Sequence, residues 1–503
     1  MCLDDVTVEC EPLRGEGGKV ADIETWRAGF LRAPSEPSTG WQPARWVSDP
    51  LFPMAPFRVV HRDYQPVWIN VRIPRGVAGE FRGVCRVRAR GQEPVEVPVT
   101  LRAWGFDLPE RETLHNFFDF AIGDYSGGFQ RLYGPVDGAG FPAFRRFMRY
   151  LRDHGINGLF YNHPLVSSGL LTYDEVDGHF RADLRRIGPV LDLLRELGFA
   201  FNHWPAPVWP THQIFFDIYT TFAPFRELGA DVYADPRFNR ALLEVGEALA
   251  KAVEHEGFAY LYDEPHLPWH GDQLAALSRE FRARCPRSRQ MTAIGQPEMI
   301  ARVLDEDLPV DIIVGHLSFY RPELHRRIVA SGREFWWYTS NWPSSHLSFW
   351  LDEPMLHHRL LYWLTWRYGV PSFGYWNTSV WNYREYGYEN VDTGRRLEWP
   401  YSNWNVTPTE AWGHGNADGQ LLFPGPDGPV GTLRCEAIRH GVQDHAYLTL
   451  LSAAAEYNDA CRGLERTVRR GIGTLQRPTR RPDTLAGLRE RIGEALERVD
   501  AGR

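Results

Sequence analysis

Lysine is almost missing from this chain: Lys19 and Lys251 are the only two in 503 residues, and arginine carries nearly all of the positive charge. The balance is still negative, with a net charge of −8, so no basic excess exists to displace counterions from a phosphate backbone. That excludes a nucleic-acid partner. Long apolar runs are lacking too: no stretch reaches the ~20 uncharged apolar residues of a membrane span, so no membrane partner is expected. The amino terminus, MCLDDVTVEC, shows no basic leader followed by an apolar run, and no secretory signal is expected. Cysteine is scarce: Cys2, Cys10, Cys85, Cys285, Cys435 and Cys461 form no CxxC pair and no zinc spacing. Free thiols in a reducing compartment, hence a cytoplasmic protein, are the expectation. The 18 histidines include no HExxH, and no GxGxxG turn follows the first candidate strand of the central region. Neither a metal nor a cofactor is called for.

Aromatic residues, by contrast, are abundant. There are 19 Trp and 21 Tyr, and eleven of the tryptophans lie between Trp336 and Trp412. Core packing rarely needs such a density, because Trp is hard to bury completely and its N–H wants a partner. Half-exposed indoles suit a ligand with flat apolar faces, and a sugar ring is one.

From about Phe57 to Pro109 the pattern has period two. VWINVRIP, FRGVCRVRAR and VEVPVTLRAW alternate apolar with polar residues between glycines and prolines, which predicts antiparallel hairpins in a small β-sandwich. Residues 1–56 are rich in Pro and Gly and read as irregular. After FDLPE, short apolar runs alternate with amphipathic helical segments. The candidate strands are TLHNFFDF, INGLFYN, FAFNHW, FAYLYDE, RQMTAIG, VDIIVGHLSFY, REFWWYTSN and VPSFGYWN. That rhythm predicts an α/β fold, a (β/α)8 TIM-type barrel. The last helix carries Leu485, Leu488, Ile492 and Leu496 on one stripe. The predicted organisation is a sandwich domain over 1–110, a catalytic barrel over 111–430, and a helical segment over 431–503 packed on the barrel.

Two Asp-Glu-Pro triplets occur. Asp352-Glu353-Pro354 directly precedes MLHHRLLYWLTWRYG and reads as a helix entry. Asp263-Glu264-Pro265 instead ends the fourth candidate strand, and in a barrel the carboxyl ends of the strands ring the active site. Neighbouring strand residues point to opposite sides, but at an end broken by proline both carboxylates can turn toward one pocket. One would then hold its proton while the other stays charged, as glycoside cleavage requires. Retaining barrel glycosidases often draw a nucleophile from the seventh strand. Here that strand ends WWYTSNWP without a carboxylate, and Glu334 sits at its other end. A 2-acetamido sugar could supply its own amide oxygen, forming an oxazolinium ion.

YLYDEPH resembles the catalytic segment of glycoside hydrolase family 123. DPLFP, PVWINVRIPRGVAGEFRGVCRVRA and DGQLLFPGPDGPVGTLRCEAIRHGVQDHAYL resemble the wider group known as domain of unknown function 4091, a likeness running from about Trp46 to Leu451. The resemblance implies an exo-acting, retaining β-N-acetylgalactosaminidase working by substrate assistance on a terminal β-GalNAc glycoside. Asp263 would stabilise the acetamido group, and Glu264 would be the general acid and later the base. Further candidates for sugar contacts at strand ends are Tyr161, Asn162, His163, Asn202, His203, Trp204, His316, Trp337, Tyr338, Asn341, Trp376, Asn377 and Trp381. One of Trp337, Trp376 and Trp381 is expected to floor the sugar. Two rival readings stand: a glycosidase for a non-acetylated sugar with a second carboxylate from Asp174, Glu175 or Asp235, and a catalytically inactive carbohydrate-binding barrel.

Overall fold

Alternating apolar residues give antiparallel strands at the amino end, and they begin earlier than the Pro- and Gly-rich composition of residues 1–56 suggests. The computed structural model describes residues 2–33, 46–122, 129–162, 168–205, 222–228, 235–254, 258–340, 347–381 and 416–501. Five strands occupy the segment expected to be irregular: β1 (Leu3–Cys10), β2 (Leu13–Gly15), β3 (Gly18–Val20), β4 (Ile23–Arg32) and β5 (Trp46–Pro53). Then come β6 (Phe57–Val59), β7 (Val67–Val71), β8 (Gly79–Arg88) and β9 (Val95–Ala103). One sheet runs β3-β2-β8-β1-β6 with β9 on β8, and a second runs β5-β4-β7. Leu13, Val20, Phe81 and Ala103 of the first share a core with Ile23 and Val71 of the second.

The register of β1 on β8 sets Cys10 opposite Cys85, and the two form a disulfide across 75 residues of chain. This corrects the expectation of free thiols for that pair; Cys2, Cys285, Cys435 and Cys461 remain thiols, outside any disulfide. Disulfides persist in oxidising compartments, which weighs against the cytoplasmic expectation. Closing a loop of that length lowers denatured-chain entropy by an amount worth about 4 kcal/mol. The urea midpoint of the transition reported by the sandwich should therefore fall clearly when the protein is reduced; equal midpoints with and without reductant would contradict the pairing.

The carboxy-terminal helices Leu433–Ala455, Asp459–Gly471 and Pro482–Ala501 were expected on the barrel. They group with residues Met1–Leu114 and with Phe349–Tyr368, a segment inside the predicted barrel range, in one compact unit. Buried charge ties this unit together. Arg434 donates to Asp49 at 3.0 and 2.9 Å. Asp444 accepts from Arg359, from Arg489 at 2.8 Å and from Trp363 Nε1 at 2.8 Å. Leu485, Leu488, Ile492 and Leu496 are buried, as their stripe predicted. The second triplet lies in this unit as well: Glu353 is buried and paired with His357 on the first turn of the helix Met355–Tyr368. Its role is structural.

The second unit comprises His115–Ser348 and Gly369–Pro429. Its parallel strands are β10 (His115–Ala121), β11 (Gly158–Asn162), β14 (Ala200–Pro205), β15 (Phe258–Asp263), β16 (Arg289–Ile294), β17 (Ile312–His316), β18 (Glu334–Thr339) and β19 (Ser372–Tyr375); the hairpin β12 (Leu171–Asp174)–β13 (His179–Ala182) is an insertion. Each pairs with the next in chain order, and β19 also pairs with β10, closing the ring. The chain is therefore a mixed α/β protein with a curled parallel sheet and separate antiparallel sheets. Several intervening helices, Pro236–Ala252, Pro268–Arg284, Pro297–Asp305 and Pro322–Ala330, open on proline, whose fixed φ and missing N–H cost nothing at a first turn. Phe117, Tyr260, Met291, Ala293, Ile312, Val314, Trp336 and Tyr338 fill the ring's interior. Among the described residues no helix is long and apolar enough to cross a membrane.

Candidate active site

Asp263 is the last residue of β15, and Glu264 follows it with its backbone in the left-handed region, φ 46°. A non-glycine residue rarely adopts that conformation without a surrounding structure that enforces it. Here the Glu264 N–H donates to the Ala293 carbonyl of β16 at 3.0 Å, extending the ladder one step before Pro265 ends it. Upstream, the register of β15 on β16 shifts between Tyr260 and Tyr262. That irregularity re-aims the strand end, as bulges do. Tyr260 belongs to the ring interior, whereas Tyr262 turns to the helix Pro268–Arg284 and donates to Gln273 at 3.2 Å. Three residues after Tyr260, where plain alternation would point the side chain away, Asp263 accepts the Tyr260 hydroxyl.

Glu264 accepts the hydroxyl of Tyr338, which reaches it from β18. Both tyrosines belong to the same interior cluster, so both carboxylates are held at one mouth of the ring. Burial, reinforced by Asp263, pushes the Tyr260 hydroxyl well above the usual tyrosine range; burial and Glu264 do the same to Tyr338. Both hydroxyls therefore stay protonated and remain donors. Glu334 sits at the opposite end of β18, bound to Arg289 at 2.7 Å and to Trp336 Nε1 at 2.9 Å, away from this chemistry.

The other predicted residues separate by the face on which they lie. His316 ends β17 on the inward side; its Nδ1 accepts from Ser318 N at 3.3 Å, and its ring meets Tyr338 edge-on at 4.9 Å. Trp337 alternates with the inward Trp336 and Tyr338, so it is on the outer side, buried against Tyr320 at 5.6 Å. Trp381 packs on Phe120 and Phe147, and its indole N–H donates to Leu422 O at 2.7 Å. These contacts place both rings in packing, Trp337 against Tyr320 and Trp381 against Phe120 and Phe147. The Asn377 side chain accepts from Thr378 N at 2.8 Å and Ser379 N at 2.9 Å, holding a turn rather than a ligand. Trp376 stands directly after Tyr375, the last residue of β19, and shares Asp418 with it. It is half-buried and donates to Asp418 at 2.6 Å. Gly419, at φ 72°, allows its backbone to approach that ring; a Cβ there would meet the indole at 2.7 Å.

Tyr161 and Asn162 end β11, and Asn202, His203 and Trp204 lie within β14, but their side chains are outside the described residues, as are His163 and Asn341. Tyr260 and Asp418 were not singled out from sequence. Tyr260 stands in YLYDEPH, yet only the irregularity in β15 brings it to Asp263. Among the described residues, no group of three or more His, Cys, Asp or Glu is arranged to hold a metal ion.

Residues 235–451, which include the carboxylate pair, match the family model described as Glycoside hydrolase 123, catalytic domain. No curated protein matches the chain. Among solved structures, a family 123 glycoside hydrolase from Clostridium perfringens, studied for glycolipid glycan hydrolysis, superposes with a TM-score of 0.66 at 13% identity, covering 99% of this chain and 90% of that one. At that identity the likeness speaks for the fold. A GH2 beta-galacturonidase from Eisenbergiella tayi (TM-score 0.38, 8% identity, 88% of this chain and 72% of that one) overlaps too loosely to bear on it. The same holds for a Thermobacillus composti GH10 xylanase (TM-score 0.34, 12% identity, 60% and 97%). Over residues 235–451, then, the chain is similar to the glycoside hydrolase 123 catalytic domain.

Proposed function

We propose that this glycoside hydrolase is an exo-acting, retaining β-N-acetylgalactosaminidase that uses the substrate's own acetamido group as nucleophile, on a complete TIM-type barrel within residues 111–430. The observation that carries the reading is the adjacency of Asp263 and Glu264, each held by a tyrosine of one interior. In the first step the acetamido carbonyl oxygen bonds to the anomeric carbon as the glycosidic bond breaks, and Glu264 gives its proton to the departing oxygen. Asp263 receives the acetamido N–H and offsets the positive charge that grows on the oxazolinium ring. Water then attacks the anomeric carbon, Glu264 takes its proton, and the amide is regenerated with retention. Tyr338 favours the ionised Glu264 that serves as base. Trp376, half-buried just past the carboxyl end of β19, would lie under the sugar.

The rival with a recruited carboxylate is weakened by what those residues do. Asp174 caps the N–H of Val176 at 2.9 Å and pairs with Arg181 at 3.3 Å. Asp235 caps the helix Pro236–Ala252 through Arg237 N at 2.7 Å and pairs with the Arg237 guanidinium, also at 2.7 Å. Glu175 is exposed on the hairpin. A chromogenic screen tests the proposal. Aryl β-GalNAc should be cleaved faster than aryl β-GlcNAc, aryl β-galactoside should be left intact, and a thiazoline mimic of the oxazolinium should inhibit. Cleavage of the galactoside alone, or of no acetamido glycoside by folded protein, would refute it.

A further inference from the structure

The chain just beyond the acid builds a second feature that the two chemical steps do not use. Pro265 ends the strand ladder and Pro268 opens the helix Pro268–Arg284, leaving His266 and Leu267 as the rim between them. His270, fully buried, locks that rim. Its Nδ1 accepts the N–H of His266 at 3.2 Å and the N–H of Leu267 at 3.2 Å, the part a Glu or Gln usually plays at the third helical position. Burial holds the imidazole down near a pKa of about 4, so the accepting lone pair persists at neutral pH. His266 Nδ1 in turn donates to the Glu264 carbonyl at 2.9 Å, tying the rim to the acid's own backbone.

On this braced turn stands Trp269. Its ring lies against His270 at 3.9 Å and 76°, with the His266 ring on the same imidazole at 4.7 Å. Yet Trp269 is 40% exposed, as is Leu267. A half-exposed indole braced by a fully buried imidazole keeps part of its ring open to solvent. On the reading above Glu264 delivers its proton to the oxygen between the two sugars, and Trp269 stands in the first turn of the helix that the chain enters just after Glu264. Four residues separate acid and indole. A flat apolar face there matches the axial C–H face of a pyranose, and the net charge of −8 disfavours an anionic occupant.

We propose that Trp269, beside His266, forms the shelf on which the leaving-group sugar stacks, so that the preferred substrate is a β-linked oligosaccharide and not a simple aglycone. This rests on the assignment of Asp263 and Glu264 above. The test compares a β-GalNAc-terminated disaccharide with β-GalNAc fluoride, whose leaving group has no ring to stack. Trp269→Ala should lower the ratio of kcat/KM for disaccharide over fluoride about tenfold, the size of one lost aromatic contact. Trp269→Phe, which retains a flat face, should recover most of it. A ratio equal to that of the parent in the Ala variant, or one that Phe does not recover, overturns the shelf while leaving the catalytic reading intact. A parent enzyme that cleaves neither substrate overturns that reading and the shelf with it.

Discussion

Replacing Glu264 by Gln should lower kcat on a β-GalNAc disaccharide by about 10³-fold, within the span that a positioned general acid contributes. Glutamine keeps the shape and can still accept the Tyr338 hydroxyl, so the ring and the strained turn survive; what goes is the transferable proton. The loss should depend on the leaving group. A sugar alkoxide cannot depart unprotonated, whereas a dinitrophenolate can, so the first step on the activated glycoside should remain fast. The second step then lacks its base, and the oxazolinium waits for a nucleophile that needs none. Added azide should restore turnover on the activated substrate and yield the β-glycosyl azide. Equal losses on both substrates, or no azide product, would show that Glu264 does not handle the leaving-group proton.

Much of this fold was legible because its strands are buried on both faces and so stand out as short apolar runs between amphipathic helices. Each of the eight runs overlaps a strand of the ring, from TLHNFFDF at His115–Ala121 to VPSFGYWN at Ser372–Tyr375. What failed depends on partners far along the chain. Three strands of the first 56 residues are fixed by distant partners, β1 and β2 on β8 and β4 on β7, and the Cys10–Cys85 register is part of that same pairing. Neither leaves a local signature. The site was legible in its acids and not in its aromatics. An Asp-Glu pair before a strand-ending proline is recognisable at once. A tryptophan's use depends on parity: Trp336 and Trp337 are adjacent in sequence, yet one fills the ring and the other packs outside it on Tyr320. A one-residue error in register exchanges those roles. The irregularity at Tyr260–Tyr262 is harder still, since nothing in FAYLYDE marks where alternation breaks.

Asp263→Asn should behave differently from the Glu264 variant, and the difference separates their roles. The substitution is isosteric, and Asn Oδ1 can still take the Tyr260 hydroxyl, so the change is one of charge. In the transition state the acetamido oxygen has begun to bond to the anomeric carbon and its nitrogen carries growing positive charge. A carboxylate facing that N–H gains strength as the charge develops, and a neutral amide does not. Losing a fixed electrostatic partner of this kind in a sheltered site costs about 10²–10³-fold in kcat. Because the ring forms as the leaving group departs, whatever that group is, the loss should be similar for disaccharide and dinitrophenyl glycoside, and azide should not repair it. Affinity for the thiazoline mimic should fall in parallel, since it presents the same ring to the same carboxylate. Successive fluorination of the acetyl group should slow the parent enzyme steeply, because each fluorine weakens the attacking oxygen. A parent rate indifferent to fluorination would mean that some protein group attacks instead, and Asp263, beside the acid, would be the first residue to trap as a covalent glycosyl ester.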